Sequence, residues 1–160
     1  MHRYGLALLI VASPVSAFAA EVPKEGSYDY TSCWSGVNNV ITFSKTHTAS
    51  SFEMTGTNRS NPPGGIFDKN TFRCVGMNAS LDGKETASFV CEAIDVDGDK
   101  YLSKVSAGDG KTTRTIVAGT GKYEGIVTTQ TAFEQLGPFP AIKDGTSQSC
   151  NHQTGTYKLK

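Results

Sequence analysis

From Ser27 onward, apolar and polar residues mostly alternate one for one, and the alternation is cut at short intervals by Gly, Asp and Asn. Period-two runs of this kind are strands with one wet and one dry face, and no stretch sustains a 3.6-residue period. The runs fall at Ser27–Ser35, Val40–Ser44, His47–Thr55, Thr71–Ser80, Glu85–Asp95, Lys100–Ala107, Thr112–Ala118, Tyr123–Ala132 and Ser147–Leu159. Thr, Val, Tyr and Phe recur in them, as suits a pleated surface. Between them, Asp82-Gly83, Asp97-Gly98, Asp109-Gly110 and Gly119-Thr-Gly-Lys-Tyr-Glu-Gly125 read as tight turns, because these residues tolerate positive φ. The expected fold is all-β: a single antiparallel meander closed into a small barrel of about eight strands.

Turn chemistry also predicts register. With Asp82-Gly83 as a two-residue turn, Leu81 faces Lys84, and counting outward sets Cys74 opposite Cys91. That pair falls at a non-hydrogen-bonded position, where Cα atoms lie about 4.5 Å apart, within reach of a disulfide. The same register sets Arg73 opposite Glu92 on a face with Val75 and Val90, and puts Phe72, Cys74, Phe89, Cys91 and Ala93 on the other. Around Asp97-Gly98, equal counting sets Asp95 opposite Lys100 and Ile94 opposite Tyr101.

The chain has four cysteines, and pairing Cys74 with Cys91 leaves Cys33 with Cys150. The second bridge joins the first strand to the last, as barrel closure would. In the chain-entropy picture the short loop contributes about 3 kcal/mol and the long one about 5 kcal/mol. Two disulfides presuppose an oxidising compartment, and the N-terminus supplies the route. His2 and Arg3 precede an apolar run, Gly5 to Ala12, and Ala17-Phe18-Ala19 fits a small-x-small cleavage site. Residues 1–19 are therefore read as a signal peptide and 20–160 as one barrel domain, secreted or periplasmic. The apolar run is shorter than the roughly 20 residues of a membrane span, so no membrane insertion is expected.

Charge excludes some partners. The sequence balances 15 Lys and Arg against 15 Asp and Glu, with no basic stripe, which argues against nucleic acid. Asp95, Asp97 and Asp99 imitate the opening of a calcium loop, but Lys100 and Ser106 stand where Gly and Glu are needed, so a charged turn is the simpler reading. The cysteines lack zinc-ligand spacing, and neither a metal nor another cofactor is expected. His47 and His152 have no accompanying nucleophile motif, and Glu53, Asp68, Glu92 and Glu134 are too dispersed to nominate a carboxylate pair. No catalytic residue emerges.

Two longer segments interrupt the meander. Asn58–Asn70 contains Asn61-Pro-Pro-Gly-Gly65, and Phe133–Thr146 contains Gly137-Pro-Phe-Pro140. Segments of this length are often lids or binding loops. The second could cap a barrel mouth or pack on the outer wall. Tyr30, Trp34, Phe72, Phe89, Tyr101 and Tyr123 are expected along the wall, either filling the interior or surrounding one ligand.

Asp95-Val-Asp-Gly-Asp-Lys100, followed by Gly119-Thr-Gly-Lys-Tyr-Glu-Gly-Ile126, resembles a group of uncharacterised secreted bacterial proteins. Their Gly-Thr-Gly-Lys-aromatic hairpin is similar to one in allene oxide cyclases and dirigent proteins. That resemblance implies an eight-stranded, lipocalin-like barrel with an apolar cavity. It carries no catalytic residue onto a matching position here. Three readings stay open: a barrel binding a small apolar or aromatic ligand, with Trp34, Phe72 and Phe89 as its lining; a cyclase or isomerase; and a protein-binding barrel, such as a hydrolase inhibitor, acting through residues 58–70 or 133–146.

Overall fold

A computed structural model describes residues 22–160; the expected signal peptide and its cleavage site lie outside the described residues. Eight antiparallel strands form one sheet: β1 Glu25–Ser44, β2 His47–Ser60, β3 Thr71–Leu81, β4 Lys84–Ile94, β5 Lys100–Gly108, β6 Lys111–Gly119, β7 Val127–Gln135 and β8 Thr146–Lys158. Their order is β6-β5-β4-β3-β2-β1-β8-β7. Every consecutive pair except β6–β7 is hydrogen-bonded, and β1 pairs with β8, so the meander closes into a barrel with one seam.

The expected bridges are present. Cys74 and Cys91 face each other across β3 and β4 with Cα atoms 4.0 Å apart, and Cys33 bridges Cys150 across β1 and β8 at 4.1 Å. Asp82-Gly83 and Asp109-Gly110 form the mirror-image turns that need positive φ at both positions, at 52° and 78° and at 52° and 72°. Leu81 accordingly pairs with Lys84, and the inward face of β3 and β4 carries Phe72, Cys74, Phe89, Cys91 and Ala93.

Four local expectations are corrected. Ser27–Ser35 and Val40–Ser44 belong to one long strand, since Gly36, Asn38 and Asn39 stay in the ladder with β2. Asp97-Gly98 does not make a two-residue turn. The Asp95 side chain accepts N–H bonds from Asp97 and Asp99, its backbone N–H donates to Asp99 O, and the longer turn slips the register by one. Ile94 therefore faces Lys100, Ala93 faces Tyr101, and Asp95 does not pair with Lys100. Arg73 does lie opposite Glu92, but it forks onto Glu53 at 2.8 and 3.1 Å, while Glu92 receives Lys100 at 3.0 Å. Finally, Gly119–Gly125 is not a hairpin: β7 starts at Val127, not Tyr123, and a single 3₁₀ turn at Gly121–Tyr123 links two strands that do not pair.

That 3₁₀ turn docks onto the Asp95–Asp99 turn. Lys122 Nζ lies 2.6 Å from Asp95 Oδ2 and 2.8 Å from Asp97 Oδ2, and the Lys122 N–H donates to Asp99 Oδ2 at 3.0 Å. Lys100 and Thr120 exchange two further bonds. Two of the three acidic residues thus hold the lysine ammonium and the third its backbone N–H, and among the described residues no cluster of metal-ligating side chains occurs. The two turn motifs, distant in sequence, form one ion-paired unit at one end of the barrel.

The same end is filled. Between Asn61 and Asn70 the chain turns Ile66, Phe67 and Asn70 inward, and Phe67, 3% exposed, meets Tyr28, Tyr30 and Tyr101 edge-on at 5.3, 5.6 and 5.4 Å between ring centres. Tyr123, fully buried, stacks on it at 6.1 Å and donates its hydroxyl to Ile66 O at 2.8 Å. Asp68 holds the plug in shape by accepting the N–H groups of Ser60 and Gly64, both at 3.0 Å. The expected binding loop is therefore an internal plug, because Ile66 and Phe67 gain more by burial among the tyrosines than a solvated loop would offer.

Candidate functional site

Above the plug the barrel is hollow. A cavity of about 430 Å³ occupies the other half, lined by inward residues of all eight strands. The alternation that produces it is visible strand by strand: Trp34 on β1, Phe52 and Met54 on β2, Phe72 on β3, Phe89 on β4, Val105 on β5, Arg114 on β6, Phe133 on β7 and Asn151 on β8. Its apolar rings stay on the wall because glycines sit beside them. Gly76 is the β-partner of Phe52 on one side and Phe89 on the other, and the two rings meet edge-on over it at 5.5 Å. Gly56 stands in the same way between Trp34 and Phe72, and a Cβ there would lie 2.5 Å from Phe72 Cζ. Rings laid over glycines line the space rather than fill it.

The three lining residues expected from sequence, Trp34, Phe72 and Phe89, are brought together around this cavity. Tyr30, Tyr101 and Tyr123 are not part of its wall; they belong to the filled end. Sequence reasoning missed Phe52, Phe133 and, most consequentially, Arg114. The β5–β6 turn Asp109-Gly110 sets Arg114 opposite Val105, hence on the inward row, so the signal was present in the register.

Arg114 lies at the cavity floor, lining both the cavity and the small void among Tyr28, Tyr30, Phe67 and Tyr101 beneath it. Its Nη1 donates to Tyr30 Oη at 2.6 Å, its Nε donates to Ser103 Oγ at 3.2 Å, and its guanidinium stands over the Tyr101 ring at 5.9 Å. The Tyr30 hydroxyl in turn donates to Gln153 Oε1 at 2.9 Å, and Gln153 Nε2 donates to Asn151 Oδ1 at 2.7 Å. Burial raises the Tyr30 phenol far above its ordinary value, although Arg114 pulls the other way, so Tyr30 remains a neutral acceptor.

The other candidates lie elsewhere. His47 sits at the β1–β2 turn, 3.2 Å from Asp82, and His152 reaches Asp29 at 2.8 Å across β1 and β8. Glu53 and Glu92 are in outer-wall ion pairs, Asp68 is in the plug, and Glu134 stands 4.0 Å from His152. None of these lines the cavity. Residues 136–146 do not cap the mouth: they run beside β8, tied by Leu136 N–H to Cys150 O at 2.9 Å and Phe139 N–H to Gln148 O at 3.0 Å. Phe139 and Ile142 remain 45% and 93% exposed.

No protein-family model, curated protein or solved structure matches this chain.

Proposed function

We propose that the protein is a secreted or periplasmic barrel of lipocalin-like type that binds one small, largely apolar or aromatic molecule. The observation that carries this reading is the cavity of about 430 Å³ walled by Trp34, Phe52, Phe72, Phe89 and Phe133. Binding pockets for small molecules have this size and this mix of apolar wall with few polar groups. The plug closes one end, so a ligand enters from the other and rests on a polar floor. The two disulfides fit an oxidising compartment.

The cyclase or isomerase reading asks for a general base in the cavity. Among the described residues no His, Asp or Glu lines it, which is why binding takes precedence. The protein-binding reading keeps one observation in its favour, the exposed Phe139 and Ile142 beside the mouth. Residues 58–70 support it less, because their large apolar side chains, Ile66 and Phe67, are buried.

Native mass spectrometry of protein exported to a periplasm, repeated after denaturing extraction, tests the proposal. The expected result is a reproducible extra mass that leaves on denaturation. A clean apo mass that persists when ten-carbon alcohols and acids are added would defeat it.

A further inference from the structure

The floor of the cavity carries a charge that nothing beside it balances. Arg114 is the one charged side chain among the lining residues, and among the described residues no carboxylate lies within ion-pair distance of it. A guanidinium has five N–H donors. Tyr30 and Ser103 engage Nη1 and Nε, while Nη2 has no partner among the described residues. Removing a cation from water without a counter-charge is costly, and such groups are ordinarily paired.

The hydrogen bonds around Arg114 have a direction. Arg114 donates to Tyr30, Tyr30 to Gln153, and Gln153 to Asn151, so each acceptor in the row is consumed from the Arg114 side. The row ends with the Asn151 amide nitrogen, which has no partner among the described residues and belongs to a cavity-lining side chain. The floor therefore offers unspent donors, Arg114 Nη2 and Asn151 Nδ2, beneath an aromatic wall. The buried acceptor left unpartnered in the lining is Gln130 Oε1, which suits a neutral O–H or N–H.

We propose that the ligand is an amphipathic carboxylate, with its anionic end on Arg114 at the cavity floor and its apolar or aromatic body against Trp34, Phe52, Phe72 and Phe89. This inference rests on the binding reading above and adds the chemistry of the ligand's head. A carboxylate matches the fork of the guanidinium, and its bonds to a charged donor are stronger than neutral ones.

The test is a binding titration of the wild-type protein with decanoate and 4-phenylbutanoate against 1-decanol, 4-phenylbutan-1-ol and decylamine, followed by calorimetry and by Trp34 fluorescence. The carboxylates are expected to bind at least about tenfold more tightly than the alcohols, with the amine weakest, and Arg114→Gln should abolish the preference while still binding the alcohols. Alcohols bound as well as or better than the acids would overturn the anionic head and leave the apolar cavity reading standing. Binding of no probe at all would overturn both. Should Arg114→Gln fail to fold, the wild-type acid-to-alcohol ratio decides the matter by itself.

Discussion

Gly76 has no side chain, and the cavity depends on that. A Cβ at this position would run into Phe89 Cβ and stand 2.6 Å from Ser88 O, in a row where Phe52 and Phe89 already meet. Gly76→Val should therefore cost about 1–3 kcal/mol in denaturant unfolding and shrink the uptake of apolar probes, because the displaced rings swing into the hollow. Asp95 is the second position where one residue governs more than itself. Burial works against its ionisation, but the Lys122 ammonium and the N–H groups of Asp97 and Asp99 outweigh burial and hold its carboxyl below the usual range. A lowered folded pKa gives stability that is complete above the unfolded value of about 4 and is lost as pH falls through the folded value. Urea melts between pH 2 and 6 should show that acid limb, and Asp95→Asn should flatten it. An unchanged limb in the variant would mean that Asp95 is not among the groups that produce it.

At the level of elements, the turns explain what could be read from the chain and what could not. Asp82-Gly83 and Asp109-Gly110 adopt positive φ at both positions, so simple counting from them is right, and it carries Cys74–Cys91 and the inward placement of Phe72 and Phe89 with it. Asp97-Gly98 has the same two letters but obeys the Asp95 side chain, which reaches forward to two backbone N–H groups and lengthens the turn. The dipeptide itself does not distinguish the cases; the difference is Asp95 two residues before it, where Ser80 and Ala107 precede the other turns, and Lys122 Nζ fixes that carboxylate from beyond β6 in the chain. Arg114 stayed hidden for another reason. An arginine on an alternating strand is ordinarily assigned to the wet face, whereas here the inward row is polar at its floor, with Gln153 and Asn151 beside Arg114. The plug was equally illegible, since Asn61-Pro-Pro-Gly-Gly65 describes a loop and says nothing of where Phe67 goes. Its weight can be measured. Phe67→Ala should destabilise the barrel by about 3–5 kcal/mol in chemical unfolding, as expected for emptying a well-packed aromatic site. Lys122→Met should cost less, about 1–2 kcal/mol, because the lysine remains partly exposed.

For the molecule as a whole, the weak line is the seam. β1 is paired along both edges, with β2 and with β8, and the Cys33–Cys150 bridge pins the β1–β8 contact from outside. β6 and β7 end the sheet order and share no ladder. Between them the described residues show the Gln130 Nε2 bond to Thr112 O at 3.1 Å, and the chain itself links them through the docked 3₁₀ turn. Local opening follows the least-bonded boundary, so the barrel should breathe at β6–β7. In hydrogen exchange, amides of β6 and β7 that face the seam should exchange first among the strands, and those shared by β1 and β8 last. The seam also borders the cavity, because Arg114 is carried by β6 and Gln130 by β7. A molecule held on Arg114 and against the β2–β4 wall spans from the loose strand to the firm ones, and should slow seam exchange in proportion to its occupancy. Decanoate that binds yet leaves the β6 and β7 amides unprotected would place its head away from Arg114, and would separate the cavity from the seam as independent features of the barrel.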